Sequence, residues 1–201
     1  MSDPAAPAPA PAADADASGW RLPWAGGCRC GALRFAVTAP PMLSAACHCR
    51  GCQRMTGSAF SLTLMLPEAG FALTQGSSIR GGLGGALERG CAGATGLAEA
   101  EAAEQGGDGL PPSGIDHRIC PACGSWVFTR IAAFGGLVNL RATMLDDAGW
   151  TVPFLETMRA DALPWAGTPA PHRHDRFPGP EAFPALLAAY AAEGARPGRP
   201  G

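Results

Sequence analysis

The stretch CHCRGC, residues 47 to 52, packs Cys47, His48, Cys49 and Cys52 into six positions. Thiolates spaced C-x-C-x-x-C converge on one point when the segment forms a loop, and such sulfurs hold Zn²⁺ at about 2.3 Å. No fourth cysteine joins them convincingly, because Cys91 falls in low-complexity sequence. Three protein ligands with a fourth position left to water or substrate mark a catalytic zinc. His48 is the rival fourth ligand. Flanked by two ligating cysteines, its side chain is expected to point away from their ion, to a supporting contact or to the surface.

A second set is made of two pairs, Cys28 and Cys30 in GGCRCGALRF and Cys120 and Cys123 in CPACGS. Each pair can grip one ion, and Gly124 permits the tight turn that aims backbone N–H groups at the sulfurs. Together the four form a closed Cys₄ site. Ninety positions separate Cys30 from Cys120, so a shared ion would staple an early strand to a much later hairpin. The alternative is buried or redox-active thiols without metal. A thioredoxin-like reading of the C-x-x-C lacks its βαβ context.

The ligand type narrows the chemistry. Three thiolates around Zn²⁺ leave a net charge of −1, a weaker Lewis acid than zinc held by neutral imidazoles and a poor generator of hydroxide. A sulfur-rich coordination sphere instead accepts another sulfur. The site therefore points to thiol substrates, with a structural site completed by a further ligand as the alternative.

Elements that position these residues read mainly as β. In ALRFAVTA, Leu33, Phe35 and Val37 alternate onto one face; in SAFSLTLML, Phe60, Leu62, Leu64 and Leu66 do the same. FALTQ, SWVFTRIA, GLVNLRATML and PFLETMRA continue the series between Gly, Pro and Asp-Asp turn signals. Near the C-terminus Phe183, Leu186, Leu187 and Tyr190 recur at helical spacing, predicting one short helix that ends at Gly194.

The 201 residues carry a net charge of −2, 47% hydrophobic residues, 28 glycines and 20 prolines, a composition suited to turns and short strands. Residues 1–19 read as a disordered Ala/Pro-rich tail, 20–170 as the zinc domain with a low-complexity insertion at 81–114, and 171–201 as a C-terminal extension with the short helix. What remains after removing tail and insertion, roughly 150 residues, is enough for one core. No basic block suggests nucleic acid, and no run approaches the length of a membrane span. The N-terminal stretch lacks the basic and apolar regions of a signal peptide. The cysteines are thus expected in a reducing cytoplasm, where clusters bind metal more often than they form disulfides.

Other residues carry paired readings. Arg54 either balances the anionic zinc or meets an acidic substrate, or is a solvated surface cation. Phe60 and Trp126 line a pocket or, as the simpler expectation, pack in the core. Asp146 and Asp147 are expected to cap a turn rather than to form a general acid/base pair. His117, His172 and His174 stand outside any motif and are expected in solvated loops.

GGCRCGALRF, CHCRGCQRMTGSAF and ICPACGSWVF, followed by LRATMLDD and LPW, resemble the glutathione-dependent formaldehyde-activating enzyme family, which includes centromere protein V. The resemblance runs over about residues 24 to 165. It implies a zinc-stapled, mostly antiparallel β-tent. It also implies two zinc ions, one structural (Cys28, Cys30, Cys120, Cys123) and one catalytic (Cys47, Cys49, Cys52). The implied activity is that of a carbon–sulfur lyase condensing a small thiol such as glutathione with a small aldehyde, formaldehyde. The alternative is a non-catalytic binding module on the same zinc-stapled fold. No glutathione-binding residue is matched by the motifs, and oligomeric state is not indicated.

Overall fold

The computed structural model describes residues 19–81 and 114–197. The N-terminal run 1–18, residues 198–201 and the segment 82–113 lie outside the described residues. Most of the low-complexity insertion, Cys91 and nearly all of the Ala/Pro-rich tail fall there.

Among the described residues, eleven strands and two helices run in the order β1 Trp24–Gly27, β2 Arg34–Val37, β3 Leu43–Cys47, α1 Arg50–Thr56, β4 Ser61–Pro67, β5 Phe71–Gln75 and β6 Ile79–Gly81. After the insertion come β7 Ile115–Ile119, β8 Trp126–Ile131, β9 Leu137–Arg141, β10 Leu155–Thr157, β11 His172–Arg173 and α2 Phe183–Glu193. They form a three-stranded sheet, β1-β2-β5, and an eight-stranded sheet, β11-β10-β3-β4-β9-β8-β7-β6. Pairing is antiparallel except around β10, which lies parallel to both β3 and β11. The mainly β expectation, with one short C-terminal helix, matches this architecture.

Alternation explains the packing of the two sheets. Leu33, Phe35 and Val37 are buried at 0–1% exposure, while the residues between them face outward. Phe35 meets Phe71 of β5 with ring centroids 5.4 Å apart, and Phe71 meets Phe128 of β8 at 4.9 Å. Leu64, Leu66, Val127, Phe128, Val138 and Leu140 complete this core from the larger sheet. The expected face of β4 divides: Leu64 and Leu66 are buried, whereas Leu62 is partly exposed. The strand expected across GLVNLRATML stops at Arg141, where the chain turns through a 3₁₀ segment, Ala142–Met144.

Helix α2 lays Leu186 and Tyr190 inward, and Gly194 ends it by donating its N–H to the Tyr190 carbonyl. Tyr190, Trp20, Trp24 and Trp150 pack together, which joins the two ends of the described chain. Among the described residues no helix is long and apolar enough to cross a membrane.

Three polar expectations change. His117 lies on β7 and is buried, and His172 lies on β11 rather than in a loop. The sheet order encloses His117 between neighbouring strands, which a lone histidine outside a motif does not reveal. Asp146 forms a two-point ion pair with Arg34 of β2, tying the smaller sheet to the turn after β9.

Candidate metal centres and adjoining cavity

Two turns make the first cysteine group. After β1 the chain folds back so that the Cys28 N–H donates to the Leu33 carbonyl at 3.0 Å, and the Leu33 N–H points at Cys28 Sγ from 3.3 Å. Between β7 and β8 the Cys120 N–H donates to the Ser125 carbonyl, and the Gly124 N–H to the Cys120 carbonyl, both at 2.9 Å. Gly124 adopts φ +72° there, a left-handed conformation that a side chain would strain. The turns face each other, and the Arg29 N–H reaches Ser125 Oγ at 3.3 Å.

All four sulfurs lie within 4.8 Å of one another. Cys28 and Cys30 are 3.5 Å apart, and Cys30 and Cys120 3.9 Å. A tetrahedral zinc–thiolate site with bonds of about 2.3 Å requires sulfur separations of about 3.8 Å, so the donor set fits such an ion. The thiols do not ionise alike. The Ser125 hydroxyl and amide draw Cys123 down to about 5. Cys30 stands at about 11: the Ala32 amide favours its thiolate, but the Cys28 and Cys123 thiols beside it prevail. Four neighbouring thiolates require a cation among them.

The second group is built on a strand end and a helix start. Cys47 closes β3, Cys49 caps α1 by accepting from the Cys52 N–H at 3.3 Å, and Cys52 lies in the first turn. Their sulfurs also lie within 4.8 Å of one another, and among the described residues this group gathers just these three ligand-type side chains. Cys47 is pushed up by the neighbouring Cys49 thiol. No disulfide joins any of the seven described cysteines.

The loop is anchored on both sides. Cys47 sits opposite Ser61 of β4 and Thr157 of β10. The His48 N–H donates to the Thr157 carbonyl at 3.0 Å, and Gln53 Nε2 donates to the carbonyls of His48 and Asp161 at 2.6 and 2.9 Å. His48 turns its ring away from the sulfur group, as expected, and is fully buried rather than at the surface. Cys49 and Cys52 pack with Trp126 and Met158. Met158 holds φ +57°, unusual for a long side chain and sustained only where its surroundings fix it.

A cavity of about 490 Å³ lies between the two cysteine groups, within the size range of small-molecule sites. Cys123, Gly124 and Ser125 border it from the first group, and Met55 and Thr56 from the helix carrying Cys52; Trp126 and Arg141 line it as well, whereas Cys47, Cys49 and Cys52 do not. Phe60 lines it too, so Phe60 and Trp126 both take the pocket reading, with Trp126 also buried against Cys49 and Cys52. Arg54 is not among its lining residues.

Sequence reasoning missed the polar stack beneath this cavity. His117 Nδ1 and Thr129 Oγ1 are 2.9 Å apart, Trp126 Nε1 donates to the same oxygen at 3.0 Å, and the His117 and Trp126 rings meet edge-on at 4.9 Å. The Arg141 guanidinium covers the Trp126 ring at 4.1 Å. Burial first, and the Arg141 charge second, lower His117 to about 4, so its ring is neutral at ordinary pH. Only a slight sequence signal exists for this stack, a histidine and an arginine in segments that otherwise alternate as strands.

No curated protein matches the chain. A crystal structure of a Rhodobacter sphaeroides protein is similar at 14% identity and a TM-score of 0.39, over 61% of this chain and 87% of that one. The family model described as glutathione-dependent formaldehyde-activating enzyme matches residues 23–81, which hold the Cys28/Cys30 pair and the three-cysteine loop, and this match supports the chain's membership of that family.

Proposed function

We propose that the protein is a zinc-dependent carbon–sulfur lyase that makes and breaks the adduct of a small thiol with a small aldehyde, of the S-hydroxymethylglutathione synthase type. The observation that carries this reading is the grouping of Cys47, Cys49 and Cys52, three sulfurs within 4.8 Å, beside a cavity. The family match over residues 23–81 supports it at the level of reaction type.

In this reading Cys28, Cys30, Cys120 and Cys123 hold a structural zinc that joins β1 to the β7–β8 turn. Cys47, Cys49 and Cys52 hold a second zinc with one position for substrate. Bound zinc supplies a soft, weakly acidic centre that favours sulfur over hydroxide. The chain's own contribution is positional. Gln53 and the β10 pairing hold the three-cysteine loop, while Trp126 and Met158 wall its sulfurs from water. The cavity orients the thiol. In the synthetic direction the thiol sulfur bonds to the carbonyl carbon and the thiol proton goes to the carbonyl oxygen. The reverse releases both, with no oxidant or reductant required. Thiols without disulfides suit a reducing compartment, and we place the enzyme in the cytoplasm.

The test is a zinc count on purified protein, followed by exchange spectroscopy of glutathione with formaldehyde. Two zinc ions and accelerated exchange are expected. Full zinc occupancy without acceleration over the uncatalysed reaction would remove the lyase assignment.

A further inference from the structure

Among the described residues, the cavity is lined by two arginines, Arg29 and Arg141, and by no aspartate or glutamate; Cys123 borders it directly, and Trp126 stands between it and Cys49 and Cys52. Arg141, at the end of β9, is only 6% exposed. Its position is set by the Trp126 ring beneath it and by the bond from its Nη2 to the Asn139 carbonyl at 3.2 Å. A guanidinium keeps its charge at every working pH, and its planar fork matches a carboxylate. Holding such a side chain in place by packing spares the ordering that a flexible surface cation would need on binding. Arg29 adds a second positive charge from the turn between Cys28 and Cys30 and is exposed.

Position links this charge to the sulfur chemistry. Trp126 lines the cavity and also packs with Cys49 and Cys52, so one side chain separates the arginine from the three-cysteine group. Met55 and Thr56, on the helix carrying Cys52, form part of the same wall. A molecule with a thiol at one end and a carboxylate at the other matches this layout; an uncharged thiol leaves the cationic side unused.

Resting on the lyase reading, we propose that the cavity selects carboxylate-bearing thiols, with Arg141 as the principal recognising cation and Arg29 as the second. The motifs that carry the family resemblance name neither residue as a substrate contact.

Calorimetric titration of the zinc-loaded protein with glutathione, 3-mercaptopropionate and uncharged 2-mercaptoethanol tests this. The two anionic thiols should bind about ten-fold or more tightly than 2-mercaptoethanol, the scale of a charge-assisted hydrogen bond. Arg141→Met should erase most of that preference while leaving zinc content and 2-mercaptoethanol binding unchanged, and Arg141→Lys should restore part of it. If Arg141→Met does not fold, Arg29→Gln at the exposed position should still reduce the preference. Equal binding of charged and uncharged thiols overturns the proposal. So does a preference that survives the substitutions, or a failure of all three thiols to bind. The lyase reading is decided separately by rate. Arginine-dependent binding without accelerated adduct formation would keep the carboxylate site and discard the lyase.

Discussion

His48 Nε2 lies 3.2 Å from Glu156 Oε1, and both side chains are buried at 1% exposure or less. The residue between two cysteines of the loop is thereby tied to β10. Glu156 also accepts from the Thr168 N–H at 3.0 Å and faces Arg159 and Arg173 at 3.3 and 3.5 Å. One carboxylate thus joins the three-cysteine loop to the segment that leads into β11. Burial alone would raise the Glu156 pKa, but the Thr168 and His48 hydrogen bonds outweigh it and hold the carboxyl below its usual value.

Replacing this carboxylate leaves the cations around it without their counter-charge. Glu156→Gln should lower stability by about 3 kcal/mol, the scale for breaking a buried pair, measured by urea unfolding at neutral pH. The wild-type contribution is present above the unfolded carboxyl pKa and is lost as pH falls through the lower folded value. The variant should therefore lose less stability than the wild type on acidification below about pH 4.5. Equal stability of the two proteins at neutral pH would show that the buried carboxylate does not organise the loop.

The two cysteine groups should respond differently to loss of a thiol. Cys120 is fully buried at the join between distant segments, and structural zinc contributes folding free energy directly. Cys120→Ser should lose one zinc and unfold cooperatively at a much lower temperature. Cys49→Ser should lose one zinc and adduct-forming activity while keeping the wild-type circular dichroism spectrum. Unfolding of Cys49→Ser would make its loop a structural site and favour the binding-module reading.

His117 provides a pH signature. The unfolded ring takes up a proton near pH 6.5, whereas the folded ring resists until about 4. Its folded pKa is depressed, so the associated stability is complete above 6.5 and falls away as pH drops towards 4. The contribution is on the order of 3 kcal/mol. NMR titration of the ring C–H resonances should give a midpoint near 4, and His117→Gln should flatten the stability profile in that window. A midpoint near 6.5 would mean that the ring is solvated.

Gly76 ends the β2–β5 pairing at φ +69°, and a Cβ there would stand 2.1 Å from the Ala32 carbonyl oxygen. That carbonyl belongs to the turn carrying Cys28 and Cys30, which Gln75 Nε2 also meets at the Gly31 carbonyl, 3.2 Å away. Gly76→Ala should destabilise the protein by more than about 1 kcal/mol, through left-handed strain and the backbone clash. It should also weaken zinc retention by the four-cysteine group in a chelator competition. Unchanged retention would show that the turn adjusts independently of β5.

Much of the chemistry is written locally. Cys47, Cys49 and Cys52 converge because six consecutive positions hold them. Leu33, Phe35 and Val37 declare a half-buried strand through a two-residue period, and Leu186 and Tyr190 declare a helix face through a four-residue step. These patterns need no knowledge of neighbours. Tertiary structure decided the rest. Cys30 and Cys120 approach to 3.9 Å across ninety positions because two turns at different sheet ends meet. Glu156 reaches His48 because β10 enters the sheet parallel to β3. His117, Trp126 and Arg141 stack because β7, β8 and β9 are adjacent. The physical reason is common to all three: local periodicity states which face a residue presents, whereas strand order and register choose what that face meets.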